Sequence, residues 1–83
     1  MKIEVIESKG SEHKGLFINV LEAIKASGIN SKVELVNDIQ TILKYGIRAT
    51  PALVVNGVVM IAGQLRSSEE IIKLLQQHLP RIM

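Results

Sequence analysis

Polar and apolar positions along the chain alternate between the two-residue period of a strand and the three-to-four-residue period of a helix. Lys2-Ile3-Glu4-Val5-Ile6 alternates polar and β-branched residues up to Val5-Ile6, where both faces read as buried. That is the pattern of a central strand in a partly parallel sheet. Glu7 to Glu12 is a polar loop with one glycine, and Ser11 is placed to cap a helix starting near Glu12. Lys14 stands three residues on, so the reciprocal capping box is missing. From His13 to Ser27, the residues Leu16, Val20, Leu21, Ala23 and Ile24 recur at helical spacing, and Gly28 follows as a stop. Phe17, one step beside that stripe, reads as a helix–sheet core contact. Lys32-Val33-Glu34-Leu35-Val36 alternates cleanly, as a half-buried strand does. Strand, helix and strand form a βαβ unit, right-handed in about 98% of cases, with its two strands parallel and adjacent.

In the second half of the chain, Asn37-Asp38 offers an N-cap for a short helix from Ile39 to Tyr45. Ile39, Ile42 and Leu43 are its expected buried face, and Gly46 its stop. Leu53-Val54-Val55 and Val58-Val59-Met60 flank Asn56-Gly57, a strong hairpin signal because a type I′ turn needs positive φ at both central residues. Pro51 falls at the first residue of the leading strand, which need not donate to the ladder. Gly63, after Ile61-Ala62, marks a bulge or a close backbone approach. Ser67 and Glu70 make a capping box for a last helix with Ile71, Ile72, Leu74, Leu75 and Leu79 on its apolar face, ended by Pro80. The order is βαβαββα: one α/β domain over residues 1–83, with a four-stranded mixed sheet and helices on both faces.

Composition narrows the chemistry. The 47% hydrophobic content includes only Phe17 and Tyr45 as aromatics, so the core is aliphatic. There is no cysteine, which excludes a disulfide framework, a thiolate metal site and dithiol chemistry. Ten Lys and Arg against eight Asp and Glu leave a formal charge of +2, scattered without a basic run or an aromatic platform, so no nucleic-acid partner is expected. No segment reaches the roughly 20 apolar residues of a membrane span, and the N-terminus lacks a basic-then-apolar leader pattern. A cytoplasmic location is the resulting expectation. His13 has only His78, on the last helix, as a histidine companion. A zinc site needs three or four ligands, so no metal or other cofactor is expected.

A Thr-Pro pair leading into a strand-turn-strand hairpin, after a β-helix-β-helix opening and before a closing helix, resembles the thioredoxin fold. More narrowly, Met1 to Ile6, Ala49 to Gly57 and Glu69-Glu70-Ile71 are similar to the small thioredoxin-like redox-active disulfide proteins of archaea and bacteria. That resemblance covers nearly the whole chain. It implies a cis Thr50–Pro51 bond beside the active site, and a Cys-x-x-Cys motif between the first strand and first helix. Here Gly10 and His13 occupy the two cysteine positions, with Ser11 and Glu12 between them. In the redox family the first cysteine gains thiolate character at a helix N-terminus, and the second resolves the mixed disulfide. Gly10 and His13 can do neither, so no residue is assigned a catalytic role.

The resemblance leaves a binding cleft of Ser11, Glu12, His13, Ala49, Thr50 and Pro51 as the candidate site. An exposed main-chain edge there suits an extended peptide or a glutathione-like ligand, which needs no cysteine. Three readings follow. The first is a redox-inactive binding or scaffold protein that retains the cleft. The second is a member of a thiol–disulfide oxidoreductase family, serving cell redox homeostasis, whose cysteines were lost or engineered out. The third is a structural protein that self-associates, as a homodimer for example, through a sheet edge or apolar helix faces. Cysteine codons at positions 10 and 13 of the source gene would single out the second.

Overall fold

Residues 1–7 and 15–77 are described by the structure, a computed structural model. Asn56 and Gly57 both take positive φ, 50° and 81°, and close the hairpin between β3 (Ala52–Val55) and β4 (Val58–Ala62). The same asparagine reaches the start of the chain: its N–H donates to the Lys2 carbonyl and its Oδ1 accepts from the Lys2 N–H, both at 2.8 Å. This fixes β1 (Ile3–Ile6) antiparallel to β3, with Ile3 opposite Val55 and Ile6 opposite Ala52. On its other side β1 pairs in parallel with β2 (Val33–Val36), reached through helix α1 (Gly15–Ser27). The sheet order is therefore β2-β1-β3-β4, the mixed four-stranded arrangement expected for βαβαββα.

Because β1 and β3 are internal, every residue of both strands is buried and each face of the sheet requires a cover. One face carries Ile3, Val5, Leu53, Val55 and Ile61 against Leu16, Val20 and Ala23 of α1 and against Ile71 and Leu75 of α3 (Ser68–Gln76). Phe17 packs against this cluster, as do Ile24, Ile72 and Leu74. Leu21 does not join it, although its spacing placed it in the stripe. It sits on the flank of α1 at 43% exposure, because α1 lies on the sheet along Leu16, Val20 and Ala23.

The opposite face is thinner. Ile6, Ile47, Ala52 and Val54 are buried there, with Val36, Ile42 and Tyr45 packed against them. Its helix, α2 (Ile39–Lys44), has six residues and touches the core through Ile42 alone. Ile39 and Leu43, expected to be buried, are 70% and 72% exposed. So short a helix presents one residue per turn to the sheet, so the i, i+3, i+4 rule overcounted its buried face. β2 likewise departs from clean alternation: it is an edge strand with Val33 and Val36 half-buried and Leu35 40% exposed. α3 starts as expected at the Ser67 cap, whose Oγ accepts from the Glu70 N–H at 3.2 Å. The Glu70 carboxylate turns to Arg66 at 2.8 Å and to the Ser67 hydroxyl. Leu79 and Pro80 lie outside the described residues.

Glu4 is the other departure, since alternation marks it as a polar-face residue and it is buried. Its Oε1 accepts a 2.6 Å hydrogen bond from the Tyr45 hydroxyl, which closes α2 from beyond its last turn. That bond, then burial and the negative charge of Glu4, hold the Tyr45 phenol above its ordinary pKa. A raised folded-state pKa contributes stability that is complete below the ordinary tyrosine range and is lost as pH rises through the raised value. Tyr45→Phe removes this dependence. In urea titrations across the alkaline range, the midpoint of the parent should therefore fall more steeply with pH than that of the variant, and parallel alkaline limbs would contradict the assignment.

Candidate functional site

The segment leading into β3 is held from three directions. Upstream, α2 ends in a Schellman motif: Ile47 N–H donates to the Ile42 carbonyl and Gly46 N–H to the Leu43 carbonyl, both at 3.1 Å. The buried Ile47 side chain joins Ile42 in the thin core, as that motif favours, and so anchors the residues that follow. Downstream, Ala52 is locked into the β3 ladder opposite Ile6 and Ala62. Between these anchors run Arg48, Ala49, Thr50 and Pro51, with Arg48 and Ala49 exposed and Thr50 and Pro51 half-buried. The Thr50–Pro51 peptide bond is cis.

The third support is the loop after β4. Gly63 N–H donates to the Pro51 carbonyl at 2.8 Å, and its φ of +77° lies in the left-handed region. A Cβ added to Gly63 would stand 2.7 Å from the Ala49 Cβ, closer than two carbons can approach. Gly63 therefore marks a close backbone approach, whereas the bulge of β4 sits at Met60: Val54 faces Val59 and Leu53 faces Ile61, leaving one residue extra. Further along, the Leu65 side chain packs on Gly15, the first residue of α1, and the Arg66 carbonyl accepts from the Asn19 Nδ2 at 2.8 Å. The loop thus spans from the Ala49–Pro51 segment to the start of α1.

Of the candidate residues, Ala49, Thr50 and Pro51 lie together on this surface. Ser11, Glu12 and His13, along with Gly10, lie outside the described residues. Sequence reasoning singled out Gly63 but missed Leu65 and Asn19. An exposed leucine within the polar run Gly63-Gln64-Leu65-Arg66-Ser67 was the available signal. Among the described residues, no group of three or more His, Asp and Glu side chains is placed to hold a metal ion. Neither Ala49 nor Thr50 shares a backbone hydrogen bond with another described residue. A separate concavity of about 350 Å³, lined by Met60, Ile61, Leu74, Lys73 and the Arg66–Glu70 ion pair, lies between β4 and α3.

Residues 1–76 match the family described as Thioredoxin domain. The chain is also 36% identical, over 75 residues, to a protein named Thioredoxin from Methanothermobacter thermautotrophicus, covering 90% of this chain and 97% of that one. The chain belongs to the thioredoxin family. It is a family member without a cysteine, so it has no dithiol to cycle. No helix among the described residues is long and apolar enough to cross a membrane. What this thioredoxin-family chain keeps is the frame around Pro51, built by Ile47, Gly63 and the β3 ladder.

The Gly63 contact is open to a direct test. Gly63→Ala introduces both the unfavourable left-handed φ, worth about 1–2 kcal/mol for a residue with a Cβ, and the collision with Ala49. Ala49→Gly in the same background removes the collision alone. Denaturant titration should show a large loss of stability in Gly63→Ala and only partial recovery in the double variant, whereas full recovery would mean that backbone conformation contributes nothing there.

Proposed function

We propose that this chain is a redox-inactive binding protein of the thioredoxin family, taking an extended peptide or a glutathione-like ligand along Ala49 and Thr50. One observation carries the reading: among the described residues nothing shares the main-chain groups of Ala49 and Thr50, on a segment held from both sides with Ala49 exposed and Thr50 half-buried. A peptide in extended conformation can pair with such a segment through its own backbone, and neighbouring side chains then select among sequences. Leu65, exposed beside the first residue of α1, supplies an apolar contact for a ligand side chain. The family resemblance would add Ser11, Glu12 and His13, which lie outside the described residues, to this cleft. Titration of the 15N-labelled chain with glutathione and with pooled extended peptides should shift the amide signals of Ala49, Thr50, Gly63 and Leu65 together. Shifts confined to other surfaces, or none at millimolar ligand, would remove the reading.

The 36% identity to a named thioredoxin favours a second reading, in which the chain is an oxidoreductase whose cysteines at positions 10 and 13 were lost or engineered out. The Gly10→Cys/His13→Cys variant should then form a reversible disulfide and reduce a protein disulfide substrate, which the parent cannot do. A folded but inert variant would mean that the loop before α1 no longer holds redox geometry.

A further inference from the structure

We infer that the open edge of β2 is a self-association surface, on which a second copy of this chain pairs antiparallel about a two-fold axis and extends the sheet to eight strands. The two edges of the sheet are not equivalent. β4 carries the extra residue Met60, which breaks the regular spacing of its outward main-chain groups and blunts that edge against pairing. β2 pairs with β1 residue for residue and has neither bulge nor proline. The Val36 carbonyl accepts from the Glu7 N–H at 2.9 Å, so Val36 and, by alternation, Glu34 turn their main-chain groups towards β1. Val33 and Leu35 turn theirs to the open edge.

Charge selects the register. Residues with outward main-chain groups must face one another across the two-fold, which leaves three ways to centre the pair. Setting Val33 against Leu35 of the other copy puts Glu34 opposite Glu34, a like-charge clash. Setting Leu35 against Leu35 puts Glu34 opposite Val36. Setting Val33 against Val33 places Lys32 of each copy opposite Glu34 of the other, giving two symmetric ion pairs. Neither side chain has a hydrogen bond or an ion pair within its own chain among the described residues. Side chains opposite one another on adjacent strands approach within about 5 Å, close enough for these pairs to form.

Apolar surface accompanies the charges. Val33 and Leu35 share the face of the sheet covered by α1, and Leu35 is 40% exposed there. Leu21 is exposed on the same helix, on the flank that carries Phe17 and Ile24, and α1 packs directly on β2. A second copy at this edge covers both leucines. The occupant is a second copy because the edge complements itself: one strand supplies both the base and the acid. The Ala49–Pro51 segment leads into β3, with β1 between it and this edge, so both copies keep that segment open.

Sedimentation equilibrium over a micromolar-to-millimolar series tests this on the full chain, with circular dichroism confirming the fold of each variant. The parent should fit a monomer–dimer equilibrium. Lys32→Glu and Glu34→Lys each set like charges opposite one another at both positions and should weaken the dimer by about tenfold. The combined Lys32→Glu/Glu34→Lys swap should restore it. A parent that stays monomeric throughout overturns the proposal. A dimer indifferent to the single changes, or one that the swap fails to rescue, overturns the β2 pairing.

Discussion

Everything in this molecule depends on two internal strands, β1 and β3, being buried on both faces and hydrogen-bonded along both edges. Such strands require a cover above and below, and a chain of 83 residues supplies it unequally. α1 and α3 fill one side with aliphatic residues. The other side receives a helix of less than two turns, and its core is correspondingly small. Glu4 lies under that thinner cover, where a carboxylate needs a partner once water is excluded. Tyr45, just past the end of α2, provides it. The half-buried Ile42, through which α2 packs on that core, and the phenol at its C-terminus are two halves of one solution to covering a sheet with too little helix.

The same shortage explains the candidate site. So short a helix has to stop abruptly for the chain to return to the sheet, and the Schellman ending does this by burying Ile47. From there the chain has four residues to reach Ala52, and they cannot all join the ladder. Ala49 and Thr50 are left outside it, sharing no main-chain hydrogen bond with another described residue, with the ladder on one side and Gly63 on the other. The position of this segment outside the ladder is a consequence of how α2 meets the sheet. The candidate site and the fold therefore have a common origin.

Most of the architecture was legible because it rests on local rules. The Asn56-Gly57 turn, the Asp38 and Ser67 caps and the order of elements follow from two or three adjacent residues each, and they hold in the structure. What failed were readings that needed to know how elements lie against one another. Ile39 and Leu43 have helical spacing, but α2 is too short to lay that face down. Leu21 is a stripe residue left on the flank, and Glu4 is polar in sequence and internal in space. The run Val58-Val59-Met60-Ile61 gives no sign that Met60 is an extra residue, because all four side chains suit a strand. At the site, Ala49, Thr50 and Pro51 came from a family resemblance, and Gly63 from the rule that a glycine beside a strand marks a close approach. Leu65 could be placed only once the loop was seen to reach Gly15.

In a thioredoxin-family chain without a cysteine, the described frame around Pro51 rests on packing and main-chain hydrogen bonds. The described contacts that hold the Ala49–Pro51 segment come from Ile42, Ile47, Gly63 and the β3 ladder. Aliphatic contacts and main-chain hydrogen bonds set backbone position and ask for no sulfur atom. The path of the chain between Ile47 and Ala52 is therefore decided by the short α2 and by the close approach of Gly63.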